Sequence, residues 1–279
     1  MRTIDRAASA LLLGVAALSL AASPAVARTT SNTKDGRPNI LVIMTDDQAS
    51  ADLNAVGVDS TGKTVQAMPN VAALLTAQGA LFQNAIDSFP LCCPSRATFI
   101  TGQYSHNHGV GGNFWPYGWY GMTGRSNTLP AWLHNSGYYT AAVGKWLNGY
   151  GSGKTGDKDG QGNPIKPGGE IPVGFDNWNG SLDVSAYNYF NFQINQNGKV
   201  KSWGDSAYAK ALVDFAEIQI TPGAKSIGQV LNWAAKFFKS ASDPTTYGSE
   251  LAKNYSPDVT GGISNGIIKA QRTSKKPFF

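Results

Sequence analysis

The 279 residues contain two cysteines, and they are neighbours, Cys92 and Cys93. Adjacent Cα atoms across a trans peptide lie ~3.8 Å apart, below the ~4.4–6.8 Å span usual for a disulfide. The chain therefore has no cross-link of its own. Its fold must rest on a packed core, with metal as the other available support. That constraint is unusual because the N-terminus reads as an export signal. Arg2 and Arg6 flank the start, an apolar run follows from Ala7 to about Ala22, and Ala25-Val26-Ala27 supplies a small-x-small cleavage pattern. The run is short and closes on a cleavage site, so residues 1–27 read as a signal peptide rather than a membrane span. Cleavage near Ala27 leaves 279 − 27 = 252 residues, enough for one large domain in a secreted, periplasmic or cell-surface protein.

The balance of residues is that of a globular domain, 42% hydrophobic and 15% charged. The net charge of +5 becomes +4 once Arg2, Arg6 and Asp5 are removed. No dense basic run accompanies it, which argues against nucleic acid as a partner. A mild positive excess suits an anionic substrate.

Residues 28–37 are polar and read as a flexible lead-in. Ile40-Leu41-Val42-Ile43-Met44 is then a continuous apolar run of strand length, the pattern of a strand buried on both faces of a parallel sheet. Pro69 to Gly79 reads as a helix with proline in its first turn and glycine past its end. Ala80–Ile86 reads as a further strand. The unit recurs with Thr128–Gly137 as a helix closed by glycine and Tyr138–Val143 as strand. Alternating strands and helices predict an α/β fold with a mainly parallel central sheet flanked by helices. Residues 149–169 read as a surface loop, Asn197-Gly198 as a hairpin turn, and a pair of helices is expected within about 205–254. In the second of these, Ile227, Val230, Leu231, Ala234 and Phe238 form one apolar face, read as core packing. Lys275–Phe279 resembles the opening of another buried strand, which predicts a domain truncated at its C-terminus.

Ligands of open α/β sheets gather beyond the carboxyl ends of the strands. Asp46, Asp47 and Lys145 each follow a predicted strand, which places three charged groups on one edge. Cys92-Cys93-Pro94-Ser95-Arg96, followed by Thr101-Gly102, then matches the activation motif of the sulfatase family. With His106-Asn107-His108 downstream, it most resembles the N-acetylglucosamine-6-sulfatase branch. Asn39 to Gln48 is similar to the family's first strand and metal loop, and Gly144-Lys145-Trp146-Leu147-Asn148 to its Gly-Lys-Trp/Tyr segment. Weaker echoes lie at Gly174-Phe175-Asp176, Tyr255–Val259 and Lys276–Phe279. The resemblance runs from residue 38 to 279, with a poorly matching stretch about 205–254. It implies an alkaline-phosphatase/sulfatase-like fold.

The resemblance implies that Cys92 is oxidised to formylglycine by a formylglycine-generating enzyme during export, with Cys93 at the motif's variable position. A hydrated aldehyde offers a hydroxyl nucleophile whose sulfated adduct collapses with loss of sulfate, which a thiol does not permit. Asp46 and Asp47, with the modified Cys92, are implied ligands of Ca²⁺, with Mg²⁺ the second choice. Arg96 is implied to hold the nucleophile and Lys145 the sulfate or leaving oxygen. Many family members carry histidine two residues after that lysine, where Leu147 stands, so the general acid is left open. His108 and Asn148 are expected substrate contacts, and Trp178, Tyr187, Tyr189 and Trp203 are compatible with stacking on a sugar. The implied activity is removal of sulfate from a sulfated saccharide such as N-acetylglucosamine-6-sulfate. A phosphate-ester hydrolase of the same superfamily and an inactive, anion-binding fragment stand as alternatives.

Overall fold

A computed structural model describes residues 36–59, 61–189, 191–204 and 255–279. The expected signal peptide, nearly all of the lead-in and the helices expected within 205–254 lie outside the described residues. Among those described, no helix is long and apolar enough to cross a membrane.

The α/β class holds, and the sheet is mixed. Its first strand, β3 (Ala141–Lys145), pairs in parallel with β4 (Asn177–Ser181). β4 pairs antiparallel with β5 (Phe192–Gln196), and β5 antiparallel with β6 (Lys199–Trp203). The β5–β6 turn is Asn197-Gly198, with φ of 49° and 89°, the left-handed pair that a tight hairpin demands. On its other side, the chain leading into β3 takes Pro277–Phe279 as a neighbour, through Tyr139 N–H to Pro277 O (2.8 Å) and Ala141 N–H to Phe279 O (2.8 Å). That segment in turn accepts the Ile40 amide on Phe278 O (2.8 Å).

The run Ile40–Met44 is extended but joins no ladder beyond Ile40, and Leu41 to Met44 are exposed. The expectation of a buried strand fails here for a physical reason. Beyond Ile40, which donates to Phe278 O, its apolar residues find no backbone hydrogen-bonded neighbour among the described residues. Ala80–Ile86 likewise forms no strand, with Leu81, Phe82 and Ile86 exposed. The small hairpin β1 (Val56–Val58) and β2 (Thr64–Gln66) and the short helix α1 (Pro69–Val71), which widens into a π-turn over Ala72–Thr76, precede it.

Helix α2 (Cys92–Thr101) buries Cys93, Ala97, Ile100 and Thr101, residues spaced to share one face. It stops at Gly102, whose φ of 66° allows its N–H to close on Thr98 O at 2.8 Å. Helix α3 (Ser105–His108) follows, then α4 (Leu129–Asn135), which carries Pro130 in its first turn, and α5 (Ser256–Gln271). α4 touches α2, and α5 lies against β3.

The core joins α2 to the sheet through aromatic rings. Trp146 meets Trp119, Phe175 and Trp178 edge-on, at 5.8, 5.6 and 5.2 Å between centroids. Trp178 is fully buried and its indole N–H donates to Tyr150 Oη at 2.7 Å. Removing a buried ring of this size typically costs ~3–5 kcal/mol. Trp178 is thus a core residue and not a sugar platform, while Trp203 is stacked on Phe192. This core holds the end of β3 and the start of α2 side by side.

Candidate active site

The two cysteines part at the start of α2. Neighbours on a helix point ~100° apart, so Cys93 enters the core with 0% exposure while Cys92 stays half-buried at the edge. Burial pushes the Cys93 thiol up to about 12 and leaves it inert. Leu91, the residue before the helix, has no side chain to cap it. Asn113 does so from a distant loop, with its Oδ1 accepting the Cys93 N–H at 2.9 Å. Ser95 of the motif donates from its hydroxyl to Asp87.

Cys92 faces the end of the extended segment. Its Sγ lies 3.3 Å from Asp46 Oδ1. The other oxygen of Asp46 takes Arg96 Nη2 at 3.0 Å and Lys145 Nζ at 2.7 Å. The lysine contact is an ion pair without the alignment of a directed hydrogen bond. Arg96 is held in place by a second bond, from Nη1 to the Lys145 carbonyl at 2.9 Å. One carboxylate thus ties the extended segment, α2 and the end of β3 together. Partial burial works to raise the Asp46 pKa, but the ammonium of Lys145, the Cys92 contact and Arg96 outweigh it and hold it below the ordinary value. For Lys145, burial works downward and is outweighed by Asp46 and Tyr187, so its pKa is raised. It is a fixed cation at neutral pH.

Asp47 follows in a left-handed backbone conformation, φ 50°, which Asp tolerates better than most residues. Ligand atoms of Asp46, Asp47 and Cys92 lie within 4.8 Å of one another. The two carboxylates are hard oxygen donors that fit Ca²⁺ or Mg²⁺, whereas a thiol does not. An oxygen-bearing side chain at position 92 would complete a set of three oxygen ligands, one side of such a site.

The segment after β3 divides its residues between site and core. Lys145 faces the site, whereas Asn148, expected as a substrate contact, is buried with 2% exposure and its Nδ2 donates to Tyr187 Oη at 2.5 Å. Trp146 and Leu147 face the core, Leu147 with 1% exposure. The expected substrate contact at His108 does not fit the structure. Its ring is fully buried, Nδ1 accepts the Val110 N–H at 3.1 Å, and Nε2 lies 3.2 Å from Thr98 Oγ1. With both nitrogens engaged, His108 ties α3 to α2. Of the four aromatic candidates, Tyr187 is the one placed at the site, with Lys145 Nζ 4.5 Å from its ring centroid. Tyr189 is stacked on Tyr255. Asn113 was not singled out by any spacing, because it reaches α2 from a distant loop.

His108 carries a stability prediction. Burial lowers its pKa from the ordinary 6.5, so as pH falls through about 6.5 the unfolded chain takes the proton first and stability declines. Thermal unfolding should shift downward between pH 7 and 5, and His108→Gln should flatten that part of the slope. Parallel curves for the two proteins would show that the buried imidazole does not contribute.

Cys92, the paired carboxylates and two fixed cations thus converge on one edge. Comparison with known proteins gives the family. A family model described as Sulfatase matches residues 38–279, and the chain belongs to the sulfatase family. It is 31% identical over 184 residues to human N-acetylglucosamine-6-sulfatase, covering 64% of this chain and 29% of that protein. It is 36% identical over 140 residues to N-acetylglucosamine-6-O-sulfatase of Bacteroides thetaiotaomicron, covering 50% and 22%. It is 34% identical over 187 residues to the Drosophila melanogaster extracellular sulfatase SULF-1 homolog, covering 66% and 14%. The chain therefore spans less than a third of the length of these relatives. A solved structure in complex with its substrate D-glucosamine-2-N,6-O-disulfate shares 26% identity, with a TM-score of 0.40, covering 63% of this chain and 29% of that one.

Proposed function

We propose that the protein removes sulfate from a sulfated saccharide of the N-acetylglucosamine-6-sulfate kind, by way of a formylglycine formed from Cys92. The observation that carries this reading is the convergence of Cys92, Asp46, Arg96 and Lys145 within ion-pair or hydrogen-bond distance. Formylglycine supplies, as its hydrate, a hydroxyl nucleophile and a carbonyl that reforms when sulfate departs. A divalent cation held by Asp46, Asp47 and position 92 supplies Lewis acidity toward a sulfate oxygen. The chain's own residues do the rest. Arg96, anchored on the Lys145 carbonyl, presents its remaining N–H groups beside position 92. Lys145 offers a permanent positive charge where negative charge builds on the sulfuryl or leaving oxygens. Asp46 keeps both cations in register.

Export under the 1–27 leader, with oxidation by a formylglycine-generating enzyme on the way, belongs to the same reading. The extracellular relatives support it. The saccharide is supported by the named N-acetylglucosamine-6-sulfatases. Peptide mass spectrometry on the full-length exported product, from a host able to make formylglycine, should show position 92 as an aldehyde. An aryl sulfate should be turned over and an aryl phosphate hardly at all. A free thiol at Cys92, or a preference for phosphate, would overturn the reading.

A further inference from the structure

Helix α2 reaches the site without a cap of its own. Leu91 precedes it and Pro94 has no N–H, so the first-turn amides of Cys92 and Cys93 must look outside the helix for partners. Asn113 supplies one, its Oδ1 accepting the Cys93 N–H at 2.9 Å. The planar peptide held in this way joins residues 92 and 93, so its orientation sets the direction in which side chain 92 leaves the helix.

The loop that carries Asn113 is pinned on both sides. On one, the Val110 N–H is taken by His108 Nδ1 at 3.1 Å. On the other, the Trp119 N–H is taken by the Asn148 carbonyl at 2.7 Å. Gly118 permits that second contact, because its φ is 81° and a Cβ there would lie 2.6 Å from Asn148 O. The segment after β3 thus holds α2 at two points. The Lys145 carbonyl takes Arg96 Nη1 at 2.9 Å, one turn into the helix, and Asn148 reaches the first turn through the Asn113 loop. A helix end tied at one point can pivot, whereas one tied at two points keeps a single direction. That direction leaves Cys92 Sγ 3.3 Å from Asp46 Oδ1, on the carboxylate that Lys145 pairs with at 2.7 Å.

We propose that Asn113 is a positioning residue for the nucleophile, tying the start of α2 to the segment that carries Lys145 and so aiming position 92 into the site. The inference rests on the sulfatase reading above and adds to it a residue outside the activation motif. Asn113 acts on the reaction through the 92–93 peptide. Displacing a reacting group by about 1 Å can cost on the order of 10²-fold in rate, so one such contact is enough to matter.

The test compares variants of the full-length, formylglycine-bearing protein on 4-nitrophenyl sulfate, with rates normalised to aldehyde content by mass spectrometry. Asn113→Ala should lower kcat about 10- to 100-fold and leave KM within about twofold, the mark of an interaction that serves the transition state. Asn113→Asp keeps an acceptor oxygen at the same reach and should return kcat to within about threefold of wild type. Adding Leu91→Ser to Asn113→Ala separates aim from helix stability. Leu91 is extended, φ −134° and ψ 138°, where a hydroxyl can cap the Cys93 amide locally. The double variant should regain the thermal midpoint lost by Asn113→Ala and stay as slow, because a local cap restores no tie to the Asn148 segment. A second readout needs no turnover. In unmodified protein, from a host without a formylglycine-generating enzyme, Asn113→Ala should speed alkylation of Cys92 by iodoacetamide at least about threefold as the thiol leaves Asp46, with buried Cys93 as the internal control. Should Asn113→Ala fail to fold, the locally capped double variant and Asn113→Asp decide. Wild-type kcat in Asn113→Ala, recovery of kcat by Leu91→Ser, an aspartate variant as slow as the alanine one, or an unchanged alkylation rate would overturn the inference and leave the sulfatase reading intact. Wild-type protein inert toward sulfate esters would overturn the sulfatase reading and this inference with it.

Discussion

Cys92→Ala should abolish sulfate-ester turnover, while Cys93→Ser should leave it in place. Loss of a covalent nucleophile is felt on the order of 10⁴-fold or more in kcat, and nothing else at the edge can replace it. The thiol of Cys93 is completely buried, and its pKa of about 12 keeps it protonated. Its backbone amide, which Asn113 caps, survives any substitution of the side chain. The serine variant should therefore pay only a packing and desolvation cost, about 1–2 kcal/mol in unfolding free energy. Aryl sulfate kinetics on the two variants, with aldehyde content measured by mass spectrometry, gives the comparison. Comparable loss of turnover in both, at comparable aldehyde content, would show that the helix face does not separate the cysteines as described.

Asp46→Asn and Asp47→Asn should both weaken divalent-cation binding and cut kcat/KM by on the order of 10²-fold or more, yet only the first should destabilise the metal-free protein. Asp46 neutralises Arg96 and Lys145, whose side chains are 12% and 13% exposed. An amide in its place leaves two poorly solvated cations facing each other, a cost of about 1–3 kcal/mol after allowance for the partial exposure of the pair. Asp47 has no such cationic partner among the described residues, so its loss is felt through the cation alone. Calcium titration calorimetry and denaturant unfolding in chelator separate the two effects. Equal stability of the two variants without metal would contradict the keystone role of Asp46.

The legible part of the site was carried by local chemistry. Charged residues directly after apolar runs marked a sheet edge, and Asp46 and Lys145 do meet there at 2.7 Å. The hairpin at Asn197-Gly198 was equally readable, because a left-handed pair is a property of two residues.

What the local pattern could not show is which way a side chain faces once elements pack. His106-Asn107-His108 occupies a four-residue helix, too short for a periodicity to reveal that His108 turns inward. Trp178 and Tyr187 belong to one aromatic-rich stretch, yet one is sealed in the core and the other braces Lys145. Strand character at Ile40–Met44 is a propensity, and a ladder needs neighbours that propensity does not supply.

By itself the sequence determined the chemistry on offer: two adjacent cysteines, an acidic pair and two cations. Those properties reside in single side chains and short motifs, which keep their meaning wherever the chain goes. The tertiary structure decided the rest. It separated Cys92 from Cys93, buried His108 away from the site, brought Asn113 to the start of α2 and set Tyr187 beside Lys145. Such outcomes depend on distances between residues far apart in the chain, and only a packed core sets those distances.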